Sequence, residues 1–283
     1  MFKNLNCGAL GHKASGFEET IKLAKEFGFS GVDPDLNYAI EKGAAATKNL
    51  VSSHGLKLGG FYVTVKWRES DSDKDFADSL ESFVRECRVA AELGVTRCTT
   101  WVMPCSDRLN FQQHFDRVTS RLRPVALILK GFGQSLGLEF IGPRTLRSSK
   151  KYGFVYTMDG MRSVAASIGT GNVGLLLDCW HWYTAQATVS DIEQLDKQEV
   201  VYVHLNDAPV GIHVNEQVDN KRELPGTGVI DLKGFLGALK KIGYEGPITV
   251  EPFNQRLHEM SLTEAVKATS ASLDKVLHTE VAT

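Results

Sequence analysis

Thiol chemistry is thin in this chain. It carries only Cys7, Cys87, Cys98, Cys105 and Cys179, odd in number, irregularly spaced and without a C-x-x-C pair. That excludes a disulfide framework and a zinc ribbon, and reduced thiols in the cytoplasm are the simpler expectation. Neither sign of charge dominates: 32 Lys and Arg stand against 34 Asp and Glu, for a formal charge of −2. Nucleic acid and anionic membranes therefore have no electrostatic claim on it. No uninterrupted apolar run approaches membrane-spanning length, and Met1–Asn6 lacks an apolar signal core. A dinucleotide turn is missing too, since Cys7-Gly8-Ala9-Leu10-Gly11-His12 does not match G-x-G-x-x-G. What these absences leave is a soluble cytoplasmic protein with a small-molecule partner, compatible with a homo-oligomer, and with neither nucleic acid nor membrane as partner.

What is present is a rhythm. Short apolar runs alternate with longer amphipathic segments along the whole chain, the pattern of βαβ units and a parallel sheet. Strands are expected at Leu5–Leu10, Gly31–Asp33, Leu58–Val65, Arg97–Met103, Leu138–Ile141, Val173–Asp178, Val200–Leu205 and Ile248–Glu251. Helical patterns lie between them at Phe17–Phe27, Asp75–Leu93, Phe111–Leu136, Met158–Ile168 and Leu232–Ile242. A glycine closes several helices just before the next strand, as in Glu26-Phe27-Gly28-Phe29-Ser30-Gly31 and Glu92-Leu93-Gly94-Val95. Eight units in 283 residues with no linker-like break favour one (β/α)8 TIM barrel domain over 1–283.

Four apolar runs in the second half each end on, or run into, a residue that binds metals or moves protons: Glu139, Asp178, His204 and Glu251. In a (β/α)8 barrel the C-terminal strand ends form the mouth where catalytic groups converge. One strand-end carboxylate is more often a helix cap, but four in register along one pattern point to a single divalent-metal site. Three carboxylates and one imidazole suit Mn, Mg, Co or Zn, and the residues do not choose among them. Such a set fits proton abstraction beside a carbonyl. The ion grips neighbouring substrate oxygens and steadies an enediolate, while Glu139 and Glu251 act as the acid/base pair.

Other candidates surround this set. His181, three residues past Asp178, is expected to meet a substrate oxygen, as is Arg222 ahead of Pro225-Gly226-Thr227-Gly228. The bland readings are loop packing for His181 and a solvated charge between Lys221 and Glu223 for Arg222. Asp207 is placed either behind His204 or as a loop cap. Trp67 and Trp101, with Trp180 and Trp182, offer ring faces for a sugar or cyclitol, though barrels also bury many aromatics. His12, His54, His114, His213, His258 and His278 have no strand-end partner and are assigned to solvent or packing. The long connections 142–157 and 206–230 are expected to shape the pocket.

These motifs resemble the xylose-isomerase-like TIM barrels of the sugar isomerase/epimerase superfamily, and within it the inosose isomerases and ketose 3-epimerases. The matching strings are Leu138-Glu139-Phe140-Ile141-Gly142, Asn172-Val173-Gly174-Leu175-Leu176-Leu177-Asp178 with His181, and His204-Leu205-Asn206-Asp207. To these add Arg222 with Pro225-Gly226-Thr227-Gly228-Val229-Ile230-Asp231, and Ile242–Glu251. The resemblance implies that Glu139, Asp178, His204 and Glu251 bind the ion, and that His181 and Arg222 contact substrate. Two departures separate the chain from the ketose epimerases: Thr145 stands where they carry a further glutamate, and the Asp207–Arg222 loop is longer. The endonuclease IV branch needs extra strand-end histidines that are missing. The implied activity is an isomerase or epimerase of a keto-sugar or keto-cyclitol. A lyase on the same scaffold (an inosose-type dehydratase or 3-keto-glycoside eliminase) is the alternative, and a non-catalytic sugar-binding barrel a third reading.

Overall fold

The computed structural model describes residues 1–278; residues 279–283 of the expected domain, and the side chain of His278, lie outside the described residues. Strands follow in the order β1 (Phe2–Leu5), β2 (Gly31–Val32), β3 (Lys57–Leu58), β4 (Phe61–Tyr62), β5 (Arg97–Val102), β6 (Cys105–Ser106), β7 (Ser135–Phe140), β8 (Tyr152–Gly153), β9 (Val173–Asp178), β10 (Val200–Leu205) and β11 (Pro247–Val250). Nine of them form one parallel sheet in the order β3-β2-β1-β11-β10-β9-β7-β5-β4, while β6 and β8 make a separate antiparallel pair. The two ends of the sheet order, β3 and β4, are joined by Gly59-Gly60 alone. Together they occupy the third position of an eight-position ring, and the chain itself closes the barrel.

That split differs from the continuous third strand expected at Leu58–Val65, and the reason lies inside the barrel. Asn4 Nδ2 lies 2.9 Å from Asp33 Oδ1, 2.9 Å from the Tyr202 hydroxyl and 2.9 Å from Thr249 Oγ1. Tyr202 donates to Asp33 at 2.8 Å, and the Gly60 N–H donates to the same carboxylate at 2.9 Å instead of to a strand ladder. Burial pushes the Asp33 carboxyl up, against the pull of these bonds. A Cβ on Gly59 would lie 2.2 Å from Asp33 Oδ1, and one on Gly60 2.9 Å from the Tyr202 ring. Only glycine lets the backbone pass this polar floor.

Two other boundaries shift for local reasons. The first strand ends at Leu5 rather than Leu10, because Asn6 Oδ1 accepts from the Ala9 N–H at 3.1 Å and Asn6 Nδ2 donates to Asp33 at 2.8 Å. The helix expected at Phe111–Leu136 runs over Phe111–Gly131, and Gly133 turns the chain at φ 70 so that β7 starts at Ser135. The start of that helix is fixed by a reciprocal cap between Asn110 and Gln113. Asp73–Leu93 likewise opens on a Ser72 cap and closes on Gly94 at φ 82. Buried faces such as Phe83, Cys87 and Ala90 on this helix and Met161, Val164 and Ile168 on Met158–Ile168 pack against the sheet's outer side.

Register then places the polar strand ends. His204 pairs with Asp178 on one side and Thr249 on the other, and Trp101 pairs with Glu139. Side chains two apart on a strand share a face, so His204 shares the interior with Tyr202, and Glu251 with Thr249. A Gly59→Ala substitution should lower unfolding free energy by roughly 1–3 kcal/mol through overpacking against Asp33. Urea denaturation checks this, and stability within about 0.5 kcal/mol of wild type would show that the floor yields freely.

Candidate active site

Four ligand-type side chains meet at the C-terminal end of β7, β9, β10 and β11. One oxygen or nitrogen from each of Glu139, Asp178, His204 and Glu251 lies within 4.8 Å of all the others. His204 Nδ1 stands 3.4 Å from Glu139 Oε1, 3.4 Å from Glu251 Oε2 and 3.8 Å from Asp178 Oδ2. Glu139 Oε1 and both ring nitrogens of His204 are buried without a hydrogen-bond partner. Buried polar atoms left in this way call for a partner. Three carboxylates and an imidazole around one point match the hard-to-borderline donor set of a divalent cation. Burial pushes the Glu139 carboxyl up. Burial acts the same way on Glu251, but the charges of His204 and Arg222 outweigh it and hold that carboxyl below the usual range. Burial lowers His204, yet Glu251 and Glu139 more than reverse this and raise it well above an ordinary imidazole.

Arg222 belongs to this cluster. It is only 1% exposed, against the reading of a solvated charge beside Lys221. Its Nη1 donates to Asp178 Oδ2 at 2.9 Å and to Glu251 Oε2 at 3.2 Å, while Nη2 donates to Asp219 Oδ1 at 2.9 Å. The Phe253 ring lies 4.5 Å from its guanidinium carbon. Phe253 itself is held at φ 38, a strained conformation for a non-glycine residue, right after the Glu251-Pro252 strand exit.

The loop carrying Arg222 is shaped by Asp207, which does not touch His204 in the hydrogen-bond network. Its carboxylate accepts the N–H groups of Ala208, Gly226, Gly228 and Ile230 at 2.8–3.0 Å. Its backbone pairs with Glu223 as an isolated antiparallel bridge. Gly228 is needed for space, since a Cβ there would meet the Ala208 carbonyl at 2.0 Å. The turn thus folds back and delivers the residue before Glu223 into the mouth.

His181 Nδ1 lies 3.2 Å from the Gly142 N–H, and its Nε2 lies 3.2 Å from Arg222 Nη2. Both neighbours are obligate donors, and a neutral imidazole has one lone pair. With Nδ1 accepting from Gly142, Nε2 carries the proton and stands beside the guanidinium as a second donor. The pair is arranged to meet an acceptor oxygen.

Glu139, His181, Arg222 and Glu251 line a cavity of about 630 Å³ that also takes in Asn6, Tyr62, Thr100, Trp101 and Ile141, while Asp178 and His204 are buried behind that lining. Trp101, 43% exposed, faces it. Trp67 does not line it: the indole is buried, with the Arg68 guanidinium carbon 4.3 Å from its ring. Trp180 is buried beneath Arg222, and Trp182 packs edge-on against Phe235. Thr145 donates to the Gln217 carbonyl at 2.7 Å, tying the two long loops together rather than supplying a ligand. His12, His54 and His114 bond to backbone or stack on Phe154, His213 caps a short turn, and His258 packs against Gly11.

Three neighbours escaped the reading of the sequence. Asn206 donates to both oxygens of Asp178, at 3.1 and 3.3 Å, and sits inside the quoted His204–Asp207 string. Asp219 and Arg68 lie on loops without a periodic signal, and only the fold brings them to the cavity.

A parallel eight-position barrel with a carboxylate- and imidazole-lined mouth is thus the class that fold and site define. The chain belongs to the xylose isomerase-like TIM barrel family, whose model matches residues 21–276. It is 32% identical over 149 residues to an inosose isomerase of Halalkalibacterium halodurans, covering 52% of this chain and 49% of that protein. That match spans about half of the relative. An inosose isomerase of Bacillus velezensis is 22% identical over 272 residues, 93% of this chain and 92% of that one. A 3-dehydroshikimate dehydratase of Pseudomonas aeruginosa is 36% identical over 84 residues, 29% of this chain and 13% of its own. Among solved structures, a xylose isomerase domain protein from Alicyclobacillus acidocaldarius superposes with a TM-score of 0.86 at 29% identity, covering 97% of each chain. The IolI protein with a binding zinc atom gives a TM-score of 0.80 at 20% identity over the whole of both chains.

Because Arg222 balances Asp178, Asp219 and Glu251 in a buried cluster, Arg222→Ala should cost about 3–5 kcal/mol of stability. Thermal and urea unfolding measure it, and a change under about 1 kcal/mol would mean that the three carboxylates do not depend on this cation.

Proposed function

We propose that this protein is a divalent-metal-dependent isomerase or epimerase of a keto-sugar or keto-cyclitol, moving a proton between carbons next to a carbonyl. The observation that carries this reading is the convergence of two glutamates on one buried imidazole and one aspartate, with orphaned ligand atoms at the centre. Glu139, Asp178, His204 and Glu251 are the residues to hold the ion. Held there, a divalent cation supplies Lewis-acid polarisation of the substrate's adjacent oxygens. The inosose isomerase relatives support a polyhydroxylated keto ring as substrate, and the zinc in the IolI structure supports a metal in this fold.

The chain's own groups account for the proton path. Glu251 approaches His204 from the adjacent strand β11 and Glu139 from β7, beyond β9 on the other side, so a substrate lying over His204 presents its α-carbon to one and the adjacent carbon to the other. Arg222 keeps Glu251 in its ionised form, able to accept a proton. His181 Nε2–H and Arg222 Nη2–H donate to the oxygen on which negative charge develops, in a mouth where burial strengthens both bonds. The enediolate is then reprotonated at the neighbouring carbon or on the opposite face, and the handedness of the substrate decides which glutamate starts. Trp101 offers a ring face to the apolar side of the sugar.

The purified protein should contain about one divalent ion per chain, and His204→Ala should lose most of it. Elemental analysis tests this; full activity in chelator with no bound ion would remove the metal from the reading. Glu251→Gln should keep most of the ion while solvent-deuterium exchange into substrate falls by a factor of about 10²–10⁴. A near-normal exchange rate would place the base elsewhere. The match to a 3-dehydroshikimate dehydratase favours one second reading, elimination of a β-substituent after the same proton abstraction. A product lighter by water or by an aglycone identifies that outcome.

A further inference from the structure

The cavity holds a second guanidinium that the proton path above does not use. Arg68 follows β4 and lines the mouth. Its guanidinium carbon lies 3.6 Å from the Trp101 ring centroid and 4.3 Å from that of Trp67. Nη2 donates to Thr100 Oγ1 at 3.1 Å and Nη1 to the Trp101 carbonyl. Both acceptors are neutral. Arg222 is matched by three carboxylates, but among the described residues no carboxylate forms an ion pair with the Arg68 side chain. Asp71, the acidic residue nearest in sequence, is bonded to the Arg68 backbone N–H at 2.7 Å.

A partly buried cation with no carboxylate in bonding contact is expensive, and burial pulls the Arg68 pKa down to about 10 against the opposing charges of Asp71 and Glu139, neither of which pairs with the guanidinium. A guanidinium carries five N–H donors, and the two bonds above leave the others free. Stacked on indole, it presents its N–H edge, the geometry that matches the two oxygens of a carboxylate or phosphate. Its place in the barrel adds direction. Trp101 pairs with Glu139, so Arg68 lies beside the Glu139 wall of the cavity, across the ring from the loop that carries Arg222.

We propose that the substrate carries an anionic oxygen group, a carboxylate or a phosphate, which Arg68 binds edge-on while the reacting carbons lie toward His204. This rests on the isomerase reading for what the cavity holds and narrows its substrate class to keto-acids of sugar or cyclohexane type, or to keto-sugar phosphates. An uncharged inosose would leave Arg68 without a directly bonded anion.

Calorimetric titration of the metal-loaded protein tests it without turnover. D-gluconate is compared with sorbitol, and glucose 6-phosphate with glucose. At least one anion should bind 10- to 100-fold more tightly than its neutral counterpart, the span expected of a charged, forked hydrogen bond. Which anion shows the gap separates carboxylate from phosphate. Arg68→Gln should shrink the gap to within about threefold, while Arg68→Lys, which keeps the charge and loses the fork, should retain part of it. Circular dichroism confirms that each variant is folded, and Arg68→Lys alone suffices if the glutamine variant is not. Equal affinities for anion and neutral analogue, or a gap that survives both substitutions, would overturn the proposal; the second result would place the anion on the cation centre or on Arg222. Failure of the isomerase reading looks different: no keto compound then exchanges deuterium, whether or not the anion gap is present.

Discussion

His204 stands opposite Asp178 on one neighbouring strand and Thr249 on the other, and the rest of the mouth is built outward from that double pairing. A strand's side chains alternate faces, so a slip of one residue in β10 would send His204 into the helix layer and bring Leu205 into the barrel. The floor below resists such a slip. Tyr202, two residues earlier on the same face, is bonded to Asp33, Asn4 and Thr249, and it packs edge-on beneath His204. Register and floor thus hold the imidazole in place before any ligand arrives, which is the preorganisation that a site with several converging charges needs.

Charge is the second constraint. Four carboxylates, Glu139, Asp178, Asp219 and Glu251, crowd one largely buried region, and mutual repulsion would open the site if nothing opposed it. Arg222 opposes it from within, bridging three of them. The loop that brings Arg222 there is tied by the four N–H bonds to Asp207 and by the close turn at Gly228. The same arginine therefore links loop shape, carboxylate ionisation and the donor pair with His181. Arg68 contrasts with it. Its hydrogen-bond acceptors are neutral and no carboxylate pairs with it, so its guanidinium edge stays open to the cavity.

Much of this was legible in the chain before folding. Strand ends at Glu139, Asp178, His204 and Glu251 stand out because a charged or polar residue terminates an apolar run. The helix starts expected at Phe111 and Met158 hold, and the structure shows them capped by Asn110 and Thr157. Asp207 was ambiguous, since a short carboxylate next to a ligand histidine serves equally well to orient it or to cap a turn. Trp67 was read as a strand-end residue, but β4 stops at Tyr62 and the Trp67 indole is buried outside the lining of the cavity.

The sequence by itself determined the period of alternation, the places where strands stop and the identity of the residues placed there, since each depends on neighbours within a few positions. Tertiary structure decided what those residues meet. The break at Gly59-Gly60 depends on Asp33 and Tyr202, which are distant in sequence, and the burial of Arg222 depends on Asp178, Asp219 and Glu251 arriving from other elements. Whether a loop arginine is solvated, neutralised or left seeking an anion is set by the charges within a few ångströms of it, and only the closed barrel fixes those distances.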